Sequence, residues 1–176
     1  MIVKKIVDRI NLQINREMYS AFLYMAMSAK FSDDGYRGMA TWMMTQYHEE
    51  MFHAMKLYNY LQSQGALPAL EKIDAPVIKA KTVKEVFEVT LEHEKFVTAS
   101  IRELLELAIA EKDYATENLL RWYVDEQVEE EQNVLDILQD IEMMGDHKQA
   151  LFMLNTELGK RTPTIPLDYT APFPAV

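Results

Sequence analysis

Helix breakers are scarce along this chain, and no other feature constrains its fold as strongly. Five glycines and six prolines occur in 176 residues, and four of the prolines fall after residue 162. Between punctuation at Ser32-Asp33-Asp34-Gly35, from Gly65 to Lys81, at Lys112-Asp113, at Gly145 and at Gly159, apolar residues recur at helical spacing. Ile6, Ile10 and Ile14 mark one stripe; Leu119, Tyr123, Val134, Ile137 and Ile141 mark another. The pattern predicts helices over 3–32, 37–64, 83–111, 114–144 and 147–159. No segment alternates with a period of two, so the chain is expected to be all-α. Gly65, Gly145 and Gly159 each follow a helical run, as left-handed caps would. Thr82-Val83-Lys84-Glu85 reads as a capping box.

Connection lengths then set the topology. The first and third connections are a few residues long, so helices one and two should form an antiparallel hairpin, as should three and four. Ala66 to Lys81 is 16 residues with Pro68 and Pro76 inside it. A 28-residue helix is about 42 Å long, and 16 extended residues reach up to about 53 Å. The expected architecture is a four-helix bundle with one long crossover, helices two and three parallel, and a short fifth helix. Residues 1–161 make up the expected domain. The proline-rich tail, 162–176, cannot continue a helix and is expected to lie on a surface or move freely.

Composition narrows the chemistry. There is no cysteine, which removes disulfides, thiolate zinc sites, iron–sulfur clusters and cysteine nucleophiles. A formal charge of −10 disfavours nucleic acid as a partner and leaves two readings, a solvated acidic surface or a cation site. Met18 to Ala29, an apolar charge-free stretch, is too short to span a bilayer and follows no basic leader region. The expectation is a soluble, cytoplasmic protein with no membrane partner.

Helix two carries Glu50-Met51-Phe52-His53, a pair three residues apart that shares one helix face. Helix one has Glu17 and Tyr24 on one stripe, and helix three has Glu94 in an apolar run of Val86, Thr90, Val97 and Ile101. Helix four repeats the three-residue offset in Gln127 and Glu130. Glu17 to Glu50 and Glu94 to Gln127 are both separations of 33 residues. An offset of 77 carries Glu17, Glu49, Glu50 and His53 onto Glu94, Glu126, Gln127 and Glu130. Two hairpins paired about a pseudo-twofold axis would bring these carboxylates to one point. Burying even one unpaired carboxylate costs several kcal/mol, so the point calls for a cation. Oxygen ligands with one imidazole suit iron or manganese, and zinc can compete.

These residues resemble those of the ferritins, and of the bacterial-type non-haem ferritins in particular. The similarity runs to about Gly159 and is densest in Glu49-Glu50-Met51-Phe52-His53-Ala54 and in Arg121-Trp122-Tyr123-Val124-Asp125-Glu126-Gln127-Val128-Glu129-Glu130-Glu131. The resemblance implies one iron on Glu17, Glu50 and His53. It implies a second on Glu50 as bridge, Glu94 and Glu130, with Gln127 beside it as a hydrogen-bonding or weak ligand. A third would use Glu49, Glu126, Glu129 and Glu130, and Tyr24 would hydrogen-bond near the centre and donate an electron. It further implies a homo-oligomeric shell of twenty-four subunits, in which a ferroxidase turns Fe(II) into Fe(III) with oxygen or peroxide and stores the mineral. Pores on threefold axes would be lined near the start of helix four, with Glu117 a candidate.

Other readings stand beside this one. A di-iron oxidant scavenger of the rubrerythrin kind would share the helices, although the missing cysteines remove its electron-transfer domain. A purely structural bundle would bind nothing. Met51 follows the bridging glutamate where bacterioferritins bind haem, but Gln127 and Glu130 replace their second Glu-x-x-His, so haem is not expected. His48, His93 and His147 lie off the stripe or at a helix end and are expected at the surface.

Overall fold

The computed structural model describes residues 2–145 and 147–165, so residues 166–176 of the proline-rich tail lie outside the described part. The helices are α1 (Lys4–Asp33), α2 (Arg37–Ser63), α3 (Val83–Ala110), α4 (Tyr114–Met144) and α5 (Lys148–Leu158), with no strand among the described residues. Each lies within two residues of its sequence expectation at either end. The capping box at the start of α3 is present, with Glu85 N–H donating to Thr82 Oγ1 and Glu85 Oε2 accepting from Thr82 N–H. Asp113 caps α4 by accepting from the Thr116 amide.

Cross-helix contacts give the directions. Lys5 meets Glu111, Arg9 meets Glu103 and Tyr24 meets Glu94, so α1 and α3 run antiparallel. Gln46 reaches Glu130 and Tyr60 reaches Thr116, so α2 and α4 are antiparallel as well. With α1 and α2 forming a hairpin, α2 and α3 are parallel, as the long crossover requires. That crossover climbs beside α1. Its Ala69 amide donates to Asn11 Oδ1, the Lys72 carbonyl accepts from Asn15, and Ile78 and Ala80 pack against the apolar cluster that includes Phe31 and Phe87.

The core is split along the bundle. One apolar layer holds Ile6, Ile10, Ile14, Leu57, Leu61, Ile101, Leu104 and Leu120. The other holds Met27, Phe31, Met39, Trp42, Met43, Val86, Phe87 and Val134. Between them Gln13, Glu17, Gln46, Glu50, His53, Glu94, Gln127 and Glu130 are all buried. Two dry layers thus clamp a polar middle, which excludes water from it and makes every uncompensated charge there expensive.

α5 packs across the end of the bundle through a contact that sequence did not foretell. Tyr36, at the start of α2, offers no side-chain cap. Instead Asn155 Oδ1 in α5 accepts from the Gly38 and Met39 amides at 2.9 and 3.1 Å, capping α2 from another helix. A Cβ on Gly38 would fall 1.6 Å from the Asn155 carbonyl oxygen, so only glycine allows this approach. Gly159 also departs from expectation. Its φ is −69°, not left-handed, and a Cβ on it would meet Gly38 Cα at 3.0 Å, so close packing is its role.

Candidate metal centre

Four helices deliver the polar middle, one stripe each: Glu17 and Tyr24 from α1, Glu50 and His53 from α2, Glu94 from α3, and Gln127 and Glu130 from α4. Ligand atoms of Glu17, Glu50 and His53 lie within 4.8 Å of one another, close enough to hold one ion. Glu94 is fixed by neutral donors, Tyr24 O–H on Oε1 and the Gln127 amide on Oε2 at 3.1 Å. The Gln46 amide donates to Glu130 Oε2 at 2.6 Å, and the Gln13 amide donates to Glu17 Oε1 at 2.8 Å. Gln13 and Gln46 were missed in the sequence reading, yet each stands one turn before a site glutamate, Glu17 and Glu50, on the same stripe.

Among the described residues no lysine or arginine pairs with Glu17, Glu50, Glu94 or Glu130. Both carboxylate oxygens of Glu50, and Oε2 of Glu17, are buried without a donor. Burial raises the Glu17 carboxyl to about 7, with Glu94 adding to the rise and the Gln13 hydrogen bond opposing it. Glu50 is pushed well above the usual carboxylate range, by burial first and then by Glu94, Glu17 and Glu130. Glu130 is raised by burial and then by Glu94, and Glu94 by burial against the hydrogen bonds of Tyr24 and Gln127. Beyond the Gln13 amide on Glu17, a proton held between Glu17 and Glu50 relieves the pair. A multivalent cation would relieve all four carboxylates at once.

His53 is prepared as a neutral ligand. Its ring sits against Trp122 and Tyr123, with centroids 5.5 and 5.9 Å away, and the Tyr123 hydroxyl donates to the His53 carbonyl at 2.7 Å. Burial lowers its pKa to about 4, helped by nearby Lys56, so the imidazole carries a free lone pair at neutral pH. Nδ1 is 3.7 Å from Glu50 Oε2, and Nε2 is 3.9 Å from Glu126 Oε2.

The outer glutamates are arranged more loosely. Glu126 is half-buried and Glu129 exposed, while Glu49 is buried and ion-paired to Arg161 at 2.7 Å. Glu129 opposes the charge on both Glu49 and Glu126, so the three share one electrostatic neighbourhood. Arg161 was not anticipated; it lies beyond α5, on no helical stripe. Glu117 pairs with Arg121 one turn along α4. His147 is exposed as expected, but His48 and His93 are half-buried. The His93 ring lies between Tyr19 and Phe96 with Nε2 2.7 Å from Ser20 Oγ, because the α1–α3 seam turns that face inward. Burial lowers its pKa to about 4. None of the described helices is long and apolar enough to cross a membrane.

Comparison with known proteins agrees with this geometry. A family model described as Ferritin-like domain matches residues 7–144. A probable bacterial non-heme ferritin-like protein of Haemophilus influenzae is 40% identical over 159 residues, covering 90% of this chain and 96% of the relative. A bacterial non-heme ferritin of Staphylococcus aureus is 38% identical over 162 residues, covering 92% and 98%. The open pore ferritin of the hyperthermophilic archaeon Archaeoglobus fulgidus superposes with a TM-score of 0.90 at 42% identity, over 92% of this chain and 100% of that one. On sequence, bundle topology and the buried carboxylate cluster alike, the chain belongs to the ferritin family.

Proposed function

We propose that this protein stores iron and oxidises it, as a ferroxidase of the bacterial non-haem kind. The observation that carries the reading is Glu50: a carboxylate with both oxygens buried and undonated, at the meeting point of Glu17, His53, Glu94 and Glu130. One Fe(II) binds Glu17, Glu50 and His53. A second binds Glu50 from its other side, with Glu94 and Glu130, and Gln127 adjoining as a hydrogen-bonding or weak ligand. Glu49, Glu126, Glu129 and Glu130 hold a third ion on its way to the store.

Iron is the substrate, and the chain's own groups set its reactivity. Hard carboxylates favour Fe(III) over Fe(II), which promotes electron loss. Two Fe(II) ions give one electron each, and with two protons they take one O₂ to H₂O₂. Glu17 and Glu50 release protons as the ions bind. Tyr24 is hydrogen-bonded to Glu94 beside the pair, and its electron joins that of a third Fe(II) when H₂O₂ is taken on to water with two protons. The two apolar layers keep water from the pair, which strengthens each electrostatic interaction inside.

The mineral needs a container, and the proposed one is a closed homo-oligomeric shell of twenty-four subunits, roughly half a megadalton. Gel filtration of the purified protein should show that size. Fe(II) added in air should bring oxygen uptake and the amber colour of ferric oxide, both slowed at least 100-fold in Glu50→Ala. Unchanged oxygen uptake in that variant would overturn the di-iron assignment.

A further inference from the structure

Arg161 occupies a position that the iron-handling residues alone do not explain. The Asn155 cap and the Gly38–Gly159 contact fix the end of α5 against the start of α2. Three residues beyond Leu158, the Arg161 guanidinium lies over the Trp42 ring, 5.0 Å from its centroid, and donates to Glu49 Oε2 at 2.7 Å. The arginine side chain is 22% exposed and that of Glu49 only 7%, so water screens the pair poorly. The backbone of Thr164 steadies the same carboxylate. The positive charge also reaches Glu130, while Glu129 repels Glu49. Glu49 thus pairs with an internal cation while sharing the electrostatic neighbourhood of Glu126, Glu129 and Glu130.

An ion that takes Glu49 as a ligand must displace the guanidinium or share the carboxylate with it. Among the described residues no lysine or arginine is ion-paired to Glu17, Glu50, Glu94 or Glu130. We infer that Arg161 is a specificity residue: an internal counter-ion that ranks the Glu49 position last in filling and couples its filling to release of residues 160–165 from α2. This rests on the metal-centre reading above. It makes the outer position a transit point, since an ion there is held against a competitor that never diffuses away. The effective concentration of a tethered competitor is high, of order millimolar or more.

The test is equilibrium dialysis of the assembled, metal-free protein against terbium(III), a hard, oxygen-seeking ion that stands in for ferric iron. In Arg161→Gln the weakest site should tighten at least tenfold, with the site on Glu17, Glu50 and His53 unchanged. Arg161→Lys, which keeps the charge, should restore weak binding, and Glu49→Gln in the Arg161→Gln background should abolish the gain. Superimposable isotherms for Arg161→Gln and wild type, with ions bound in both, would overturn the inference while leaving the metal centre standing. No bound ion in either protein would overturn both. Wild-type protein gives an independent reading through amide hydrogen exchange. Saturating terbium should speed exchange across 160–165, and unchanged exchange there would contradict the coupling.

Discussion

The Gln46 side-chain amide spans from α2 to α4 and donates to Glu130 Oε2 at 2.6 Å, one turn before Glu50 on its own helix. A neutral donor on a buried carboxylate is worth about 1.5–3 kcal/mol. Gln46→Leu should therefore weaken the second ion by roughly 10- to 100-fold, while the first, on Glu17, Glu50 and His53, keeps its affinity. Stepwise titration with Zn(II) by calorimetry separates the two.

Glu50 exacts a stability cost in the metal-free protein. Its raised carboxyl must either hold a proton against the solvent or carry a buried charge. Glu50→Gln removes that choice and should stabilise the metal-free protein by about 1–3 kcal/mol, while losing rapid iron oxidation. Thermal unfolding at matched subunit concentration, with a chelator present, gives the comparison.

The pH dependence has a definite sign. Glu17 titrates at about 7 in the folded chain against 4.5 unfolded, so its contribution is fully present below 4.5 and is lost as pH rises through about 7. His53 and His93 run the other way. With folded values of about 4 against 6.5, their contribution is present above 6.5 and is lost as pH falls through about 4. Metal-free stability should therefore be squeezed from both sides. Binding the first ion displaces the Glu17 proton, so affinity should climb as pH rises toward about 7, and Glu17→Gln should flatten that slope. Calorimetry in buffers of different ionisation enthalpy counts the protons released.

Gly38→Ala tests how α5 is held. The added methyl would meet backbone at 1.6 Å, which no rotamer change relieves. A cost of about 2–4 kcal/mol is expected, concentrated in α5, with amide exchange across 148–158 rising before the bundle opens. Asn155→Ala should cost about 1 kcal/mol through the lost cap.

Much of the bundle and its centre could be read before any coordinates, because both are written in helical periodicity. Glu17, Glu50, His53, Glu94, Gln127 and Glu130 fall on stripes that face inward, and the 77-residue offset relates the two hairpins without knowledge of their packing. The crossover was legible from its length alone. Arg161, Asn155 and the Gly38–Gly159 contact were not, since their roles arise only where α5 meets α2, at residues more than 110 positions apart. His93 was misplaced for a related reason: its angle from the stripe describes α3 alone, whereas the α1 residues Ser20 and Tyr19 decide whether it is covered.

The central claim is that Glu50 bridges two irons between Glu17 and His53 on one side and Glu94 and Glu130 on the other. A crystal soaked anaerobically in Fe(II) and measured at the iron absorption edge tests it directly. Two anomalous peaks should lie within bonding distance of Glu50, one shared with His53 and one with Glu130. Iron bound elsewhere in the crystal, with no peak at Glu50, would contradict it.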